Sequence, residues 1–426
     1  MNIGKLAITS MKNEKKKYYF LIMNLTLACA VSIIFSHYMS NPTLGLKGDL
    51  AKEMIESSEL PIMYLFLMSM SIIAVAIALV FFANETYLKN QKRTLSILAM
   101  SGASLLDITK FFAIQHFICM LAAIFFGIMV SFIGLPLINL CMNQVSPIEI
   151  SIFSYDMTSY LLGFLIIIVM IFFLWLCDIG YVYRTNKFEL IKSVSSMQAE
   201  DIVPGKKIFS LVGYFLPLGM ILIIPPVLPL YILYMVIAMF GISGIFHSIL
   251  PMIFQKLQTR KRYDAVKSML YANLVTLVKE NGMLTKMISI SMMLLSILLC
   301  SNSDSSLTMT FISLSFILMI SMMMLCIYNN MSSFASARSK QYQTLSSLGY
   351  DNSMLIHLIK SEQRWYFILI FLLPFVLVGI AAVKFMIYEN VDKMLIAIIF
   401  ITLPFFVILC EKICELPFRA VLNRRN

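Results

Sequence analysis

Long runs of Ile, Leu, Phe, Met and Val, broken by short polar stretches, set the pattern of this chain. A helix needs about 20 apolar residues to cross a hydrocarbon core of ~30 Å. Ten runs qualify: 18–37, 60–83, 111–139, 159–177, 208–228, 229–253, 284–300, 307–328, 365–386 and 394–413. Pro225, Pro226 and Pro229 separate the fifth run from the sixth and predict a tight turn at the membrane face. The first run is longer than the roughly 7–15 residues of a signal-peptide core, and no A-x-A-like site follows it, so it reads as a retained helix.

Composition agrees with this pattern. Of 426 residues, 60% are hydrophobic and 13% charged, against about 25% charged in soluble domains. One globular core could not bury that much apolar surface. The expected fold class is an all-α polytopic membrane protein of ten transmembrane helices. Charge then supplies orientation. Twenty-nine of the 33 Lys and Arg fall in the N-terminal tail, in the loops after the second, fourth, sixth and eighth runs, and in the C-terminal tail. The opposite side holds only Lys47, Lys52, Lys384 and Lys393. By the positive-inside rule both termini are cytoplasmic, in a cell (plasma) membrane. The net charge of +11 is therefore a topology signal. Lys256, Arg260, Lys261 and Arg262 sit just below a run, where basic residues meet anionic lipid, and no nucleic-acid partner is implied.

A weak internal echo organises the rest. The segment Lys92–Gly102 recurs as Lys340–Gly349, with Leu98 and Gly102 falling on Leu345 and Gly349 at an offset of 247 residues. The same shift carries the second run onto the eighth and the third onto the ninth. Spans 2–4 and 8–10 thus read as two parallel three-helix repeats. The expected organisation is 1–59 (tail, first span and outer loop), 60–200 (first repeat), 201–304 (spans 5–7) and 305–426 (second repeat and basic tail). Within 254–286, Val266, Met269, Leu270, Leu274, Leu277 and Val278 recur at helical spacing. They predict an amphipathic helix on the membrane surface, or a cytoplasmic continuation of a span.

Chemistry is sparse. Glu85, Asp178, Lys384 and Glu411 stand at span ends, and His37, His116, His247 and His357 are scattered without ligand spacing. With no Asp/Glu/His relay expected inside the spans, a proton- or sodium-driven carrier is disfavoured. The eight Cys have no C-x-x-C spacing and read as packing residues. Pro204-Gly205-Lys206-Lys207 lacks the first Gly and the hydroxyl of a P-loop, so no ATP site is expected and the chain is not expected to be an enzyme. The repeated segments remain as entry points for outside work. Each follows a span, and Gly102 and Gly349 can adopt φ > 0 and turn the chain back. An ordinary solvated loop with a capping Gly gives the same pattern.

At these residues the chain resembles the FtsX-like permease domain of type VII ABC transporters, over 60–180 and 305–415. Ten spans with domains at 2–4 and 8–10 resemble the bacitracin-resistance class, as do residues 3–37 and the stretch Arg262–Asn281. The resemblance implies a permease subunit coupled to a separate ABC ATPase dimer, with ATP and Mg bound by that partner and no cofactor in this chain. It implies ATPase coupling by Arg93, Leu98, Gly102 and Ala103 in the first copy. In the second copy it implies Lys340, Leu345 and Gly349, with Tyr350 where a small residue is usual. The family's acidic residue eight positions before the Gly is Thr94 here, and Gln341 in the second copy; Glu362 fits a downstream acidic position where the first copy has Gln115. The class's large extracellular domain is reduced to Ser301–Ser306. The implied substrate is an antimicrobial peptide or a lipid-linked molecule, and a sensor histidine kinase is a further implied partner. Two other readings use the same spans: a non-transporting signalling protein, and an ion-coupled secondary transporter.

Overall fold

The structure, a computed structural model, describes residues 3–13, 15–40, 60–145, 151–153, 155–184, 204–225, 227–261, 263–282, 289, 293, 306–388 and 393–423. Every regular element among them is a helix. Seven helices are long and apolar enough to cross a membrane, and they coincide with the first, second, third, fourth, sixth, eighth and ninth predicted spans. The fifth is a shorter apolar helix, Lys207–Ile223. The tenth falls within Lys393–Asn423, and 284–300 lies outside the described residues, as does most of the outer loop 38–59.

By packing, the chain divides into two units: Met1–Glu200 with Ser305–Met322, and Asp201–Asp304 with Met323–Asn426. The first unit holds α1 (Ile3–Asn13), α2 (Lys15–Ser40), α3 (Leu60–Asn90), α4 (Lys92–Met100), α5 (Leu105–Val145) and α6 (Met157–Arg184). Its centre is α2, which packs against α3, α5 and α6. Small residues permit this: a Cβ on Gly127 of α5 would stand 2.7 Å from Cys29 Cβ, and one on Gly163 of α6 would stand 2.9 Å from Ser36 Oγ. The C-terminal end of α2 is closed by polar contacts. Ser36 Oγ donates to the Ser159 carbonyl at 2.9 Å, and Tyr38 OH donates to Asn139 Oδ1 at 2.7 Å. Pro136, inside α5, cannot donate to the carbonyl four residues back. That carbonyl, of Phe132, accepts instead from Tyr155 OH at 3.0 Å.

The second unit holds α7 (Pro204–Ile223), α8 (Leu228–Gly244), a π-helical turn (Ile245–Ile249), α9 (Leu250–Arg260), α10 (Ala265–Glu280), α12 (Ser339–Ser347), α13 (Asn352–Tyr388) and α14 (Lys393–Asn423). Between α10 and α12 lies α11 (Ser306–Ala337), which passes into this unit after Met322. Helices α7 and α8 meet closely enough that a Cβ on Gly241 would lie 2.3 Å from Tyr214 N. Tyr231 OH donates to the carbonyls of Ile221 and Ile224 at 3.2 and 3.3 Å. Pro225 leaves the first of these without its helical donor.

The segment predicted to be amphipathic, 254–286, folds over its described residues as the end of α9 followed by α10. Asp264 caps α10, its Oδ1 accepting from Lys267 N at 3.2 Å and its Oδ2 lying 2.9 Å from Lys267 Nζ; the hydrogen bond from the Lys267 side chain, and then the one from its backbone, hold the carboxyl below the usual range. Leu274, Leu277 and Val278 are fully buried, with α10 packed against α9 and α13, while Val266, Met269 and Leu270 are half-buried.

Candidate functional site

Each repeated segment folds as an elbow. In the first, α3 stops at Asn90, and Gln91, with φ −92° and ψ 3°, breaks the helix before α4 begins. Helix α4 ends on Gly102 at φ +83°. Ala103 N donates to Leu98 O at 3.1 Å and Gly102 N to Ala99 O at 3.3 Å. This is the Schellman pattern, in which the residue after the left-handed glycine returns to a carbonyl five positions back. Leu98 and Ala103 are both buried, which supplies the apolar contact that accompanies the motif. The second elbow repeats it. Arg338 breaks the helix at φ −87° and ψ 0°, and Gly349 takes φ +94°. Tyr350 N donates to Leu345 O and Gly349 N to Ser346 O, both at 3.2 Å. Leu345 and Tyr350 are half-buried.

Leu-x-x-x-Gly is therefore a helix stop with defined chemistry. Leu98, Gly102 and Ala103 come together in one turn, and so do Leu345, Gly349 and Tyr350. Arg93 and Lys340 lie on α4 and α12, with side chains outside the described residues. The helix that follows the first elbow opens on a capping box. Ser104 Oγ accepts from Asp107 N, and Asp107 Oδ2 from Ser104 N, both at 3.2 Å. In the second elbow Asp351 stands where Ser104 stands in the first, and its Oδ2 accepts from Ser353 Oγ at 2.5 Å.

The tips present apolar side chains to solvent. Ile97 is 55% exposed and Met100 65% in the first elbow, and Leu348 is 71% exposed in the second. Beside the first lies an open groove of about 590 Å³ between α1 and α4, walled by Lys5, Leu6, Thr9, Thr94, Ile97 and Leu98. Thr94, which replaces the expected acidic residue, thus faces a groove, while Gln341 is exposed.

Behind each elbow is a polar anchor that the motif alone did not reveal. In the first unit Gln91 is fully buried, its Nε2 donating to Tyr18 OH at 3.4 Å. Gln115 of α5 accepts from Tyr87 OH at 2.6 Å and donates to the Ala7 carbonyl of α1 at 3.4 Å. In the second unit Arg338 reaches Glu362 Oε1 of α13 at 2.8 Å. It also reaches the Asn273 carbonyl at 3.4 Å and the Thr276 hydroxyl, both on α10, and lies 4.0 Å over the Phe334 ring. Asn273 Nδ2 donates to Glu362 Oε2 at 3.2 Å. Nearby Tyr342 is buried, and this burial pushes its hydroxyl pKa up. The signal for these residues was the same offset: 247 residues separate Gln91 from Arg338 and Gln115 from Glu362.

The structure also revises the scattered-histidine reading. His116 of α5 has Nδ1 2.9 Å from Asp178 Oδ2 on α6 and 3.2 Å from the Phe112 carbonyl, and Nε2 2.7 Å from Asn84 Oδ1 on α3. Asn84 Nδ2 donates to Asp178 Oδ1 at 2.7 Å, which fixes the amide with its oxygen toward the ring. The ring thus lies between α3 and α6, with Nε2 on the Asn84 amide and Nδ1 on the Phe112 carbonyl beside the Asp178 carboxyl. Two groups remote in sequence, placed apart at span ends and in isolation, form one buried pair across three helices.

Residues 66–187 match the family model described as FtsX-like permease C-terminal. The match spans α3 to α6, including the whole first elbow. No curated protein matches the chain.

Proposed function

We propose that this chain is the membrane-spanning permease subunit of an ABC transporter, coupled through its two elbows to a separate ATPase dimer that binds ATP and Mg. The carrying observation is the pair of Schellman-capped elbows, built alike, each ending in an exposed apolar tip. A short helix that turns back on a positive-φ glycine gives a rigid, protruding shape. An exposed Ile97–Met100 or Leu348 tip is of the kind that anchors in a partner's groove. The elbows are read as cytoplasmic from the distribution of Lys and Arg, which places them where an ATPase stands. The match to the FtsX-like model over the first elbow supports the same assignment, and the bacitracin-resistance resemblance extends it to the second. ATP-driven closure of the dimer would push the elbows, and the long helices α5 and α13 that follow them would carry the motion outward as mechanotransmission. The cargo is an amphipathic molecule taken from the bilayer or its surface, such as an antimicrobial peptide or a lipid-linked molecule.

The test is co-purification of the full chain, in lipid nanodiscs, with ABC ATPase subunits from its own cell. Gly102→Val and Gly349→Val place β-branched side chains at positive φ, where only backbone strain opposes them because no atom lies within 4 Å of the added Cβ. Each should reduce ATPase capture or ATP turnover about tenfold, in line with a strain of ~1–2 kcal/mol. Full capture and turnover by both variants would sink the reading. Capture of a histidine kinase without any ATPase would favour the signalling alternative, and ion-gradient uptake without ATP the secondary transporter.

A further inference from the structure

The offset that pairs the two glycines also pairs His116 with Gln363. At adjacent positions, one unit therefore carries Gln115-His116 and the other Glu362-Gln363, and each pair places its ionisable group differently. In the first unit that group is His116, 2.9 Å from Asp178. This contact joins α5 to α6, and the elbow anchor is made of Gln91 and Gln115, two neutral amides. In the second unit the ionisable group sits one residue earlier, at Glu362, and its partner is Arg338, the residue that opens the elbow. Gln363 then makes the neutral bond, donating to the Cys414 carbonyl of α14 at 3.1 Å. Among the described residues each unit has one acid–base pair with both side chains at most 10% exposed. In the first it braces the helices beyond the elbow, and in the second it braces the elbow itself.

The mechanical consequence follows from bond strength. Hydrogen bonds to ionised groups are roughly twice as strong as neutral ones. Arg338 holds a carboxylate on α13 and a carbonyl and a hydroxyl on α10 with one planar fork, so the break before α12 cannot change angle without separating several charge-assisted contacts. At the positions matching Arg338 and Glu362, the first elbow carries the neutral amides Gln91 and Gln115. We infer that the two elbows are unequal transmitters: the second is a rigid seat locked by Arg338 and Glu362 as positioning residues, and the first is a hinge that flexes at Gln91 below a braced α3–α5–α6 block. This rests on the docking reading for its meaning, but the inequality is measurable without the ATPase.

The experiment is amide hydrogen exchange on the full chain in lipid nanodiscs, corrected for intrinsic rates. Gly349 and Tyr350 should exchange about tenfold more slowly than Gly102 and Ala103. The R338Q/E362Q variant should bring the second elbow near the rate of the first, while H116Q/D178N leaves both elbows unchanged, because its pair lies beyond the joint. Both variants must remain monodisperse and keep wild-type exchange in α2, so that general unfolding is not read as hinge release. Equal exchange in the wild type, continued protection in R338Q/E362Q, or loosening of the first elbow by H116Q/D178N would each overturn the inference. Equal exchange in a chain that captures its ATPase sinks the inequality alone. Unequal exchange in a chain that captures none sinks the docking reading alone.

Discussion

Deleting the His116 imidazole leaves Asp178 buried among three helices without the ring that stands 2.9 Å from it. Breaking a buried pair from one side costs about 3–5 kcal/mol, whereas replacing both partners by neutral groups of similar shape is often tolerated. His116→Ala is therefore expected to lower the thermal unfolding midpoint strongly. H116Q/D178N should stay close to wild type, since a glutamine already occupies the corresponding position 363 of the second unit. Unfolding in detergent, followed by tryptophan fluorescence and circular dichroism, checks the order; a double variant as unstable as His116→Ala would contradict it. The residues of the elbows were legible in the sequence because a Schellman turn is local: Leu98, Gly102 and Ala103 lie within one turn, and their spacing is their geometry. The His116–Asp178 pair was not legible. The two positions are far apart in the chain, and only the packing of α5 against α6 brings them together.

Whole elements show the same division between local and non-local information. The apolar runs fixed where helices cross, because burial in lipid is read residue by residue. They did not show that α5 already begins at Leu105, six residues before its apolar run, since that stretch carries Asp107 and Lys110 and loses the hydropathy signal. Nor did they distinguish helices that touch from helices that face lipid, and here glycine position decides. A methyl group on Gly241 would meet Tyr214 N at 2.3 Å and Gly213 O at 2.7 Å, both backbone atoms, whereas one on Gly219 of α7 meets nothing within 4 Å. Gly241→Ala must separate α7 from α8 and is expected to cost about 1–3 kcal/mol. Gly219→Ala should be neutral or stabilising by up to about 1 kcal/mol, because it removes backbone freedom from the unfolded chain. The same unfolding measurement compares the two; equal effects would mean that α7 and α8 do not cross at Gly241. Tyr155→Phe makes a second test of an element. It returns the Phe132 carbonyl, already deprived by Pro136, to an apolar surround, at about 1–3 kcal/mol, with faster amide exchange expected at the C-terminal end of α5.

At the scale of the molecule, the arrangement of α10, α11 and the second elbow bears on the number of crossings. Asn281, which ends α10, accepts from Asn330 Nδ2, and Asn273 lies against Arg338. Both contacts are at the C-terminal end of α11, so α10 and the elbow share one face of the membrane. Helix α11 begins at Ser306 and contains a crossing segment, Ser313–Ser332. At 1.5 Å per residue, the 24 residues from Ser306 to Asn330 rise about 36 Å, more than a hydrocarbon core of ~30 Å. Asn281 and Ser306 should therefore stand on opposite faces, which is what an even number of spans with both termini cytoplasmic requires. In a variant freed of its eight native cysteines, Ser306→Cys should react with a membrane-impermeant maleimide in intact cells. Lys267→Cys, on the exposed face of α10, should react only after the cells are opened. Labelling of both from the same side would remove a crossing from the count and reverse one end of the chain. It would also leave the two elbows on opposite faces of the membrane, where a single cytoplasmic ATPase dimer could not engage both.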